Sequence, residues 1–282
     1  MRFGVNTWFW VWHFTTQDIG LVARVARLGF DWIEIPVESR EQPVDFKRVG
    51  AAIRDHGLGV SVCALFGPGC DLTRVDDPDQ GRAGIEYAKH CVDAAAWMGG
   101  SRVGGPLYAP ICRLWQADGE QRKRELEWTA QNLNEIGRYA EDQGVSIGLE
   151  ALNRFETSFI NTTQQLLELV ERADHPAIQC MADTYHMSIE EKDVAQAIER
   201  MGRRLVHIHS NENDRGVPGS GHVDWVGVSR ALKRIGYEGA LVIESFDFRN
   251  RDLARAAWVW RPLVSGEEEL VEGLRFLRNL TR

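Results

Sequence analysis

Eight apolar segments of strand length alternate along the chain with eight segments of helical periodicity. The predicted strands occupy residues 2–8, 31–36, 60–66, 102–105, 145–151, 177–182, 204–209 and 239–244. The predicted helices occupy residues 18–28, 45–56, 78–98, 119–143, 163–173, 190–200, 224–235 and 267–280. Strict alternation favours a parallel sheet, and eight such units close it into a barrel. The sequence therefore predicts an α/β fold, a single (β/α)8 TIM barrel, as one domain over residues 1–282.

The alternative architecture is an open, doubly wound parallel sheet. Dinucleotide-binding sheets of that type place a Gly-x-Gly-x-x-Gly turn directly after their first strand. The residues that follow the first predicted strand here contain no such turn. The length of 282 residues also lies close to the roughly 250 typical of one barrel.

Composition excludes several classes of partner. The formal net charge of −8 argues against nucleic acid, which favours a basic surface. No run of about 18 apolar residues is present, so we expect no membrane partner. The five cysteines are odd in number and irregularly spaced, unlike a disulfide framework, and Cys63, Cys91 and Cys180 lie in apolar runs typical of a core. The N-terminus resembles no signal peptide, so we expect a cytoplasmic protein.

Four polar residues fall at the carboxyl ends of successive predicted strands. They are Glu150, Asp183, His209 and Glu244, separated from one another by about one strand–helix unit each. Equivalent positions on a barrel converge on its axis, and three carboxylates brought together there repel one another. One bound divalent metal ion would relieve this repulsion. Three oxygen donors with one imidazole suit Mn²⁺, our first expectation, or Co²⁺ or Mg²⁺, better than structural zinc.

Each of these residues also has a structural interpretation when it is taken alone. Glu150 and Glu244 could be acids of the barrel rim, Asp183 could cap a turn, and His209 could be a hydrogen-bonded core histidine. The occurrence of all four at one register favours the metal site. His207 points to the same side as His209 but one layer deeper, which favours a structural, hydrogen-bonded role.

Several segments resemble the xylose-isomerase-like barrels and, within them, the D-tagatose and D-psicose ketose 3-epimerases. The matching segments are residues 149–156 (LEALNRFE), 183–187 (DTYHM), 209–215 (HSNENDR), 218–221 (PGSG) and 242–244 (VIE), with weaker matches at 28–31 and 256–261. The resemblance therefore covers essentially the whole chain. It implies a metal-dependent keto-sugar isomerase or epimerase that forms a homodimer or homotetramer.

The resemblance also implies roles for individual residues. It implies metal ligation by Glu150, Asp183, His209 and Glu244, with Glu150 and Glu244 also moving the proton. It further implies substrate contacts, with Trp115 over the sugar and with Glu156, His186 and Arg215 at its C1–C2 end. Read alone, Glu156 could be a loop acid, His186 a support for a ligand, and Arg215 a partner in a loop ion pair.

Two features depart from the epimerase pattern. Asp214 stands before Arg215, where asparagine is usual in these epimerases. The first loop, Trp8-Phe9-Trp10-Val11-Trp12-His13, is unusually aromatic. Aromatic rings stack on sugars and on aglycones, so this loop indicates a bulkier substrate, with a packed rim or a subunit contact as the alternative.

These residues support proton abstraction next to a carbonyl, with Glu150 and Glu244 on opposite faces of the carbon. No phosphate cradle follows the last two predicted strands, which favours an unphosphorylated keto-sugar. The main alternative is a metal-dependent lyase or dehydratase acting on a keto-sugar, a keto-inositol or a keto-glycoside. A phosphodiesterase acting on damaged DNA is disfavoured by the net charge and by the single set of ligands, and a non-catalytic sugar sensor is a further alternative.

Overall fold

The computed structural model describes residues 1–246 and 248–281 of the chain. Within these ranges eight strands pair in parallel in chain order, and the eighth pairs with the first, which closes the sheet into a barrel. The strands are β1 (Arg2–Asn6), β2 (Trp32–Val37), β3 (Gly59–Ala64), β4 (Arg102–Gly105), β5 (Ser146–Glu150), β6 (Ile178–Asp183), β7 (Leu205–His209) and β8 (Ala240–Ile243). The predicted (β/α)8 TIM barrel is confirmed.

Ten α-helices lie in the described ranges, eight of which match predicted helices. They are α1 (Gly20–Arg27), α2 (Phe46–Asp55), α3 (Pro78–Met98), α4 (Gly119–Asp142), α5 (Thr163–Ala173), α6 (Thr184–Glu190), α7 (Val194–Met201), α8 (Trp225–Ile235), α9 (Arg251–Ala256) and α10 (Glu267–Thr281). None of the described helices is both long enough and apolar enough to cross a membrane.

The helix predicted over residues 190–200 was placed too early at its N-terminal end, since the observed helix begins at Val194. A separate helix, α6, follows β6 without a loop, because the Asp183 carboxylate accepts the Tyr185 backbone N–H at 2.7 Å and starts a helical turn. The next helix, α7, begins at Val194, where Asp193 caps it by accepting the Gln196 backbone N–H at 2.9 Å. As a result, a short helix directly follows β6 at the carboxyl end of the barrel.

The end of β1 also differs from the prediction. The strand stops at Asn6, whose side-chain oxygen accepts the Trp8 backbone N–H at 2.9 Å and starts a short 3-10 turn over Thr7–Phe9. Trp8 is therefore not a strand residue. It lies at the barrel mouth, where its ring is 5.8 Å from that of Trp12 and 6.0 Å from that of Phe246.

Close packing at the end of β4 requires glycine. Gly105 has a φ of +137°, and a Cβ atom there would lie 1.9 Å from the Ala64 carbonyl oxygen of β3. Only glycine combines this backbone conformation with this close approach. The chain then continues through Pro106 into the loop that forms one side of the barrel mouth.

Two apolar clusters are present in the described residues. The larger one fills the barrel and the layer between the sheet and its helices, and it includes Cys91 and Cys180. The smaller one, which we name the mouth cluster, consists of Trp8, Cys63, Phe246, Leu253, Ala254 and Val259. The prediction that Cys63, Cys91 and Cys180 are core residues is confirmed, since all three are buried. The mouth cluster holds α9 against the first loop, across the carboxyl ends of the strands.

Candidate active site

The four predicted ligand residues lie together at the carboxyl end of the barrel. Glu150, Asp183 and His209 are the last residues of β5, β6 and β7, and Glu244 directly follows β8. Asp183 pairs with His209 in the sheet register, so their side chains lie at one height. One ligand atom from each of Glu150, Asp183 and His209 lies within 4.8 Å of those of the other two. Glu244 Oε1 lies 3.4 Å from His209 Nδ1.

The imidazole of His209 is oriented by a buried carboxylate. Its Nε2 lies 2.5 Å from Glu34 Oε1, so Nε2 carries a proton, and Nδ1 is the nitrogen that can bind a cation in exchange for a proton. Among the described residues His209 Nδ1 is buried and has no hydrogen-bond partner. A carboxylate that holds the far nitrogen of a ligating histidine is the usual support of a metal site. The unpartnered Nδ1 facing three carboxylates therefore fits a divalent cation.

Glu34 was missed by the sequence analysis. It lies fully buried in β2 and also contacts His207 Nε2 at 2.6 Å, while Ser61 Oγ donates to it at 2.7 Å and Asn6 Nδ2 at 3.0 Å. Burial opposes its ionisation, but His209 and His207 outweigh that effect and hold the pKa of Glu34 well below its usual value. The predicted structural role of His207 is confirmed by this contact. A single acid within the apolar strand Trp32–Val37 was the signal that could have identified Glu34.

A second missed residue, Asn211, positions two of the carboxylates. Its Nδ2 donates to both carboxylate oxygens of Asp183 at 3.2 Å, and its Oδ1 accepts the backbone N–H of Glu244 at 2.9 Å. Thr184 in turn fixes Asn211, because its hydroxyl donates to the Asn211 carbonyl at 2.6 Å and accepts the Asn211 N–H at 2.8 Å. One amide therefore joins the ends of β6 and β8. Its position two residues after His209 in a polar loop was the available signal.

The charges of the group are not balanced. Burial and the neighbouring Asp183 raise the pKa of Glu150 well above its usual value. Burial raises the pKa of Asp183 to about 6, although Arg215 opposes the shift. The pKa of His209 is raised because Glu244 and Glu34 outweigh the effect of its burial. Since buried carboxylates take up protons where no cation compensates them, the site has a deficit of positive charge.

Three of the four residues predicted to contact the substrate, Arg215, His186 and Glu156, adjoin these carboxylates. Arg215 Nη1 donates to Glu244 Oε2 at 2.7 Å and lies 3.4 Å from Asp183 Oδ2. His186 Nδ1 accepts the backbone N–H of Asn153 at 3.1 Å, and its Nε2 lies 3.1 Å from Arg215 Nη2 and 3.9 Å from Glu150 Oε1. Burial, with the nearby Arg215 charge, lowers the pKa of His186 well below its usual value, so the ring is neutral.

Glu156 adjoins the same group beside Asn153 and Arg215. Its Oε1 accepts from Asn153 Nδ2 at 2.9 Å and lies 3.7 Å from Arg215 Nη2. The Arg215 guanidinium is also fixed from its face, since it lies 4.1 Å from the ring centroid of Tyr185 and 5.1 Å from that of Phe246. Arg215 has a φ of +66°, an uncommon value for this residue type that turns the loop after β7 inward.

The structure does not bring Trp115 to this cavity. Its ring lies 3.9 Å from the Arg113 guanidinium, and its indole N–H points to Glu125 Oε1 at 3.4 Å. Arg113 and Glu125 form a buried ion pair, and because Trp115 contacts both of them, its ring stays at this pair and is not among the residues that line the cavity at the barrel mouth. From the same loop, Pro106 and Ile111 line the cavity instead.

One cavity opens at the barrel mouth and has two unlike walls. The wall that we name the polar wall consists of Glu150, Glu156, His186, Arg215 and Glu244. The wall that we name the apolar wall consists of Trp8, Trp12, Leu65, Ile111, Leu253 and Ala257. Only part of the aromatic first loop faces the cavity. Phe9 packs in the main core, and Trp10 lies over Arg24 on the outside of the barrel.

The sequence profile of the family described as Xylose isomerase-like TIM barrel matches residues 22–280. The chain belongs to this family. A probable ketose 3-epimerase of Synechocystis is 32% identical to this family member, over 99% of this chain and 96% of that protein. A D-psicose 3-epimerase of Ruminiclostridium cellulolyticum is 30% identical, over 95% of this chain and 92% of that protein.

Solved structures agree with this assignment. The structure of a D-psicose 3-epimerase with D-tagatose from Clostridium cellulolyticum superimposes with a TM-score of 0.89 at 28% identity, and it covers 100% of both chains. A structure of an L-ribulose 3-epimerase gives a TM-score of 0.91 at 29% identity, over 99% of this family member and 94% of that chain. The predicted relation to the ketose 3-epimerases is confirmed.

Proposed function

We propose that this chain is a divalent-metal-dependent epimerase that inverts C3 of an unphosphorylated ketose. The prediction of an epimerase of the isomerase class is confirmed by the relatives named above. The main support from the site itself is the placement of Glu150 and Glu244 in one cavity, beside the unpartnered Nδ1 of His209. Two carboxylates from the ends of different strands can each reach one of the two faces of a single carbon atom.

The residues that would hold the metal are Glu150, Asp183, His209 through Nδ1, and Glu244. When bound, a divalent metal polarises the ketone and stabilises the negative charge that develops on its oxygen. We expect Mn²⁺, because three carboxylates and one imidazole suit it, with Co²⁺ and Mg²⁺ as alternatives. Asn211 and Glu34 would set the geometry, since they fix Asp183 and His209.

The two glutamates would carry the proton transfer. One of them removes the proton from C3, the C–H electron pair moves into an enediolate, and the other glutamate returns a proton on the opposite face. Nothing is oxidised or lost, and only the configuration of C3 changes. A carboxylate held within reach of the reacting carbon can accept its proton and return one, the usual part of glutamate in general acid–base catalysis.

Arg215, His186 and Glu156 would hold the C1–C2 end of the sugar. The side chain of Arg215 reaches Glu244, and the neutral His186 presents its Nε2 beside Glu150. These groups match the ketone and hydroxyl oxygens of a sugar in hydrogen-bonding capacity. Trp115 has no part in this proposal because it lies outside the cavity. The homodimer or homotetramer and the cytoplasmic location stay predictions.

The proposal is tested by incubating the Mn²⁺-loaded protein with D-psicose, D-fructose, D-tagatose or L-ribulose and separating the products by chromatography. We expect the C3 epimer of at least one ketose, and loss of the activity after treatment with a chelator. Formation of no C3 epimer from any of the four ketoses by metal-loaded protein would contradict the proposal.

A further inference from the structure

Glu156 is held in the cavity differently from the four ligand residues. Glu150 is the last residue of β5, and the hydrogen bonds of the sheet fix its position. Glu156 lies beyond the end of that strand, in the loop that leads to α5, and its carboxylate lines the cavity 3.7 Å from Arg215 Nη2. A misplacement of about 1 Å at an active site can cost on the order of 100-fold in rate. The contacts that fix this loop therefore matter to the reaction.

A short parallel pairing holds the loop after β5 against the loop after β4. The Cys112 N–H donates to the Glu156 carbonyl at 2.7 Å, and the Ser158 N–H donates to the Arg113 carbonyl at 2.8 Å. Between these two hydrogen bonds Arg113 pairs with Thr157 as an isolated parallel bridge. The backbone of Glu156 is thus joined directly to the loop after β4. Its position in the cavity therefore depends on what fixes that loop.

The side chain of Arg113 fixes the paired loops. This side chain is only 1% exposed although it carries a charge. Its Nε donates to Thr73 Oγ1 at 3.1 Å, in the loop after β3, and its Nη1 donates to Ser158 Oγ at 3.1 Å, in the loop after β5. Its Nη2 pairs with the buried carboxylate of Glu125 in α4. One guanidinium therefore ties two loops and a helix to the loop that carries it.

Aromatic rings hold the same guanidinium in place. It lies 3.9 Å from the ring centroid of Trp115 and 4.8 Å from that of Phe159. The Trp115 indole N–H in turn points to Glu125 Oε1 at 3.4 Å. Arginine suits this position better than lysine, because its N–H donors lie in one rigid plane and can reach several acceptors at once while the plane stacks on a ring.

We propose that Arg113 is a positioning residue of the substrate site, which acts by setting the position of the Glu156 carboxylate. This inference rests on the proposed function, in which Glu156 holds the C1–C2 end of the ketose. The effect passes from Arg113 through the paired loops to the Glu156 backbone, and Asn153 Nδ2 then fixes the carboxylate at 2.9 Å. The metal-binding residues lie at the strand ends. Arg113 should therefore affect substrate binding but not metal binding.

The test uses the double variant Arg113→Met with Glu125→Leu, which replaces the ion pair by apolar side chains and leaves no buried charge unpaired. With a ketose that the Mn²⁺-loaded wild-type enzyme epimerises, we expect KM to rise about tenfold, the effect of one weakened hydrogen bond to a charged group, with little change in kcat. The Mn²⁺ affinity, measured by isothermal titration, should stay unchanged. Arg172→Met with Glu168→Leu, in an exposed ion pair of α5, is the matched control and should change none of these values.

A double-mutant cycle separates positioning from a general effect on the fold. Glu156→Gln is introduced into the wild-type enzyme, the double variant and the control variant. The fall in kcat/KM that it causes should be at least about threefold smaller in the double variant than in the other two, because two changes that act on one contact are not additive. Thermal melting checks each fold. Arg113→Lys serves in the same cycle as a milder variant, since it keeps the charge beside Glu125 but cannot also reach both hydroxyl groups.

Two results would overturn this inference while leaving the epimerase itself intact. One is an additive effect of Glu156→Gln in the backgrounds of both the double variant and Arg113→Lys. The other is a loss of Mn²⁺ affinity as large as the rise in KM, which would show that Arg113 supports the whole barrel mouth. Failure of the proposed function has a different signature, since the wild-type enzyme then epimerises no ketose, and the inference fails with it.

Discussion

The two walls of the cavity come from different parts of the barrel. The polar wall is built at the ends of β5 to β8, whereas the apolar wall is built by the loops after β1, β3 and β4 and by α9. In the polar wall Glu156 accepts a hydrogen bond from Asn153 Nδ2 at 2.9 Å, and Glu244 accepts one from Arg215 Nη1 at 2.7 Å. In the apolar wall the rings and methyl groups are fixed by packing, and one hydrogen bond adds to it, from the Trp8 indole N–H to Glu38 Oε1 at 2.7 Å. Under the proposed function, the polar wall holds the two glutamates that would move the proton, whereas the apolar wall would only contact the substrate.

The two walls should respond differently to substitution. A buried charge that loses its partner is left uncompensated, at a cost of several kcal/mol. An apolar residue exchanged for another of similar volume typically costs less than about 1.5 kcal/mol. Substitutions in the polar wall should therefore abolish turnover, and those near the apolar wall should change KM and substrate preference.

The largest effect is expected in the polar wall. Glu150→Gln and Glu244→Gln each keep the volume of the side chain and remove a group that takes up the proton. Turnover should fall about 1,000-fold in each variant, the scale of general acid–base catalysis. Steady-state epimerisation measures this, and Glu199→Gln, in a surface ion pair with Arg234, is the matched control. Near-normal turnover in either variant would contradict the assignment of the two glutamates as the groups that transfer the proton.

Glu34→Gln tests the support behind the polar wall. The new amide can donate a hydrogen bond to His209 Nε2. The ring proton then lies on Nδ1, and Nδ1 can no longer bind the metal. We expect Mn²⁺ affinity to fall by about 10- to 100-fold, the usual cost of such a change. Isothermal titration of metal into the variant measures it, and Glu34→Asp should recover part of the affinity. An unchanged affinity in both variants would show that Glu34 does not orient His209.

Mn²⁺ should stabilise the fold more at neutral pH than at acidic pH. Burial raises the pKa of Asp183 to about 6, so its protonated form stabilises the metal-free fold below pH 4, and this contribution is lost as the pH rises through 6. A metal ion replaces that proton. Mn²⁺ should therefore raise Tm by several degrees more at pH 7.5 than at pH 5, where protons compete for the site. Thermal melting with and without Mn²⁺ checks this, and equal shifts at both pH values would contradict it.

The smallest effect is expected at the ion pair between Asp214, in the loop after β7, and Arg261, in the segment after α9. Asp214→Asn keeps the hydrogen bond that Asp214 Oδ1 accepts from the Gly216 N–H but removes the charge that pairs with Arg261. The pair is exposed, so its loss is worth at most about 1 kcal/mol. KM should rise about two- to threefold, with kcat unchanged. Arg261→Gln should give the same change. A fall in kcat in both variants would mean that the pair serves the polar wall instead.

The sequence allowed the polar wall to be predicted better than the apolar wall. The convergence of Glu150, Asp183, His209 and Glu244 could be predicted because each ends or directly follows an apolar strand, about one strand–helix unit after the one before, and a closed barrel brings such positions together. Glu34 and Asn211 were missed because their importance lies in contacts with residues far along the chain. Trp115 was misplaced because its ring contacts a buried ion pair, Arg113 with Glu125, instead of the cavity.

The strands of this protein could be predicted better than its short helices. The strands were predicted from apolar runs, whereas α6 and α9 were missed because each is only one or two turns long and begins with a side-chain cap. Asp183 starts α6, and Asn250 starts α9 by accepting the Leu253 backbone N–H at 3.4 Å. Such short helices lack the repeated periodicity on which the longer predictions depended. Because α6 and α9 determine which residues face the cavity, the shape of the apolar wall could not be predicted from the hydrophobic periodicity of the sequence.

The most direct test of the two-glutamate account is proton NMR of the reaction in D₂O. The Mn²⁺-loaded protein is given a ketose that it epimerises, and the product is followed at every carbon position. The account predicts a C3 epimer with one deuterium at C3 and no exchange elsewhere. An epimer without deuterium at C3, exchange at C1 with formation of an aldose, or loss of water after exchange would contradict it, and the last result would identify a lyase.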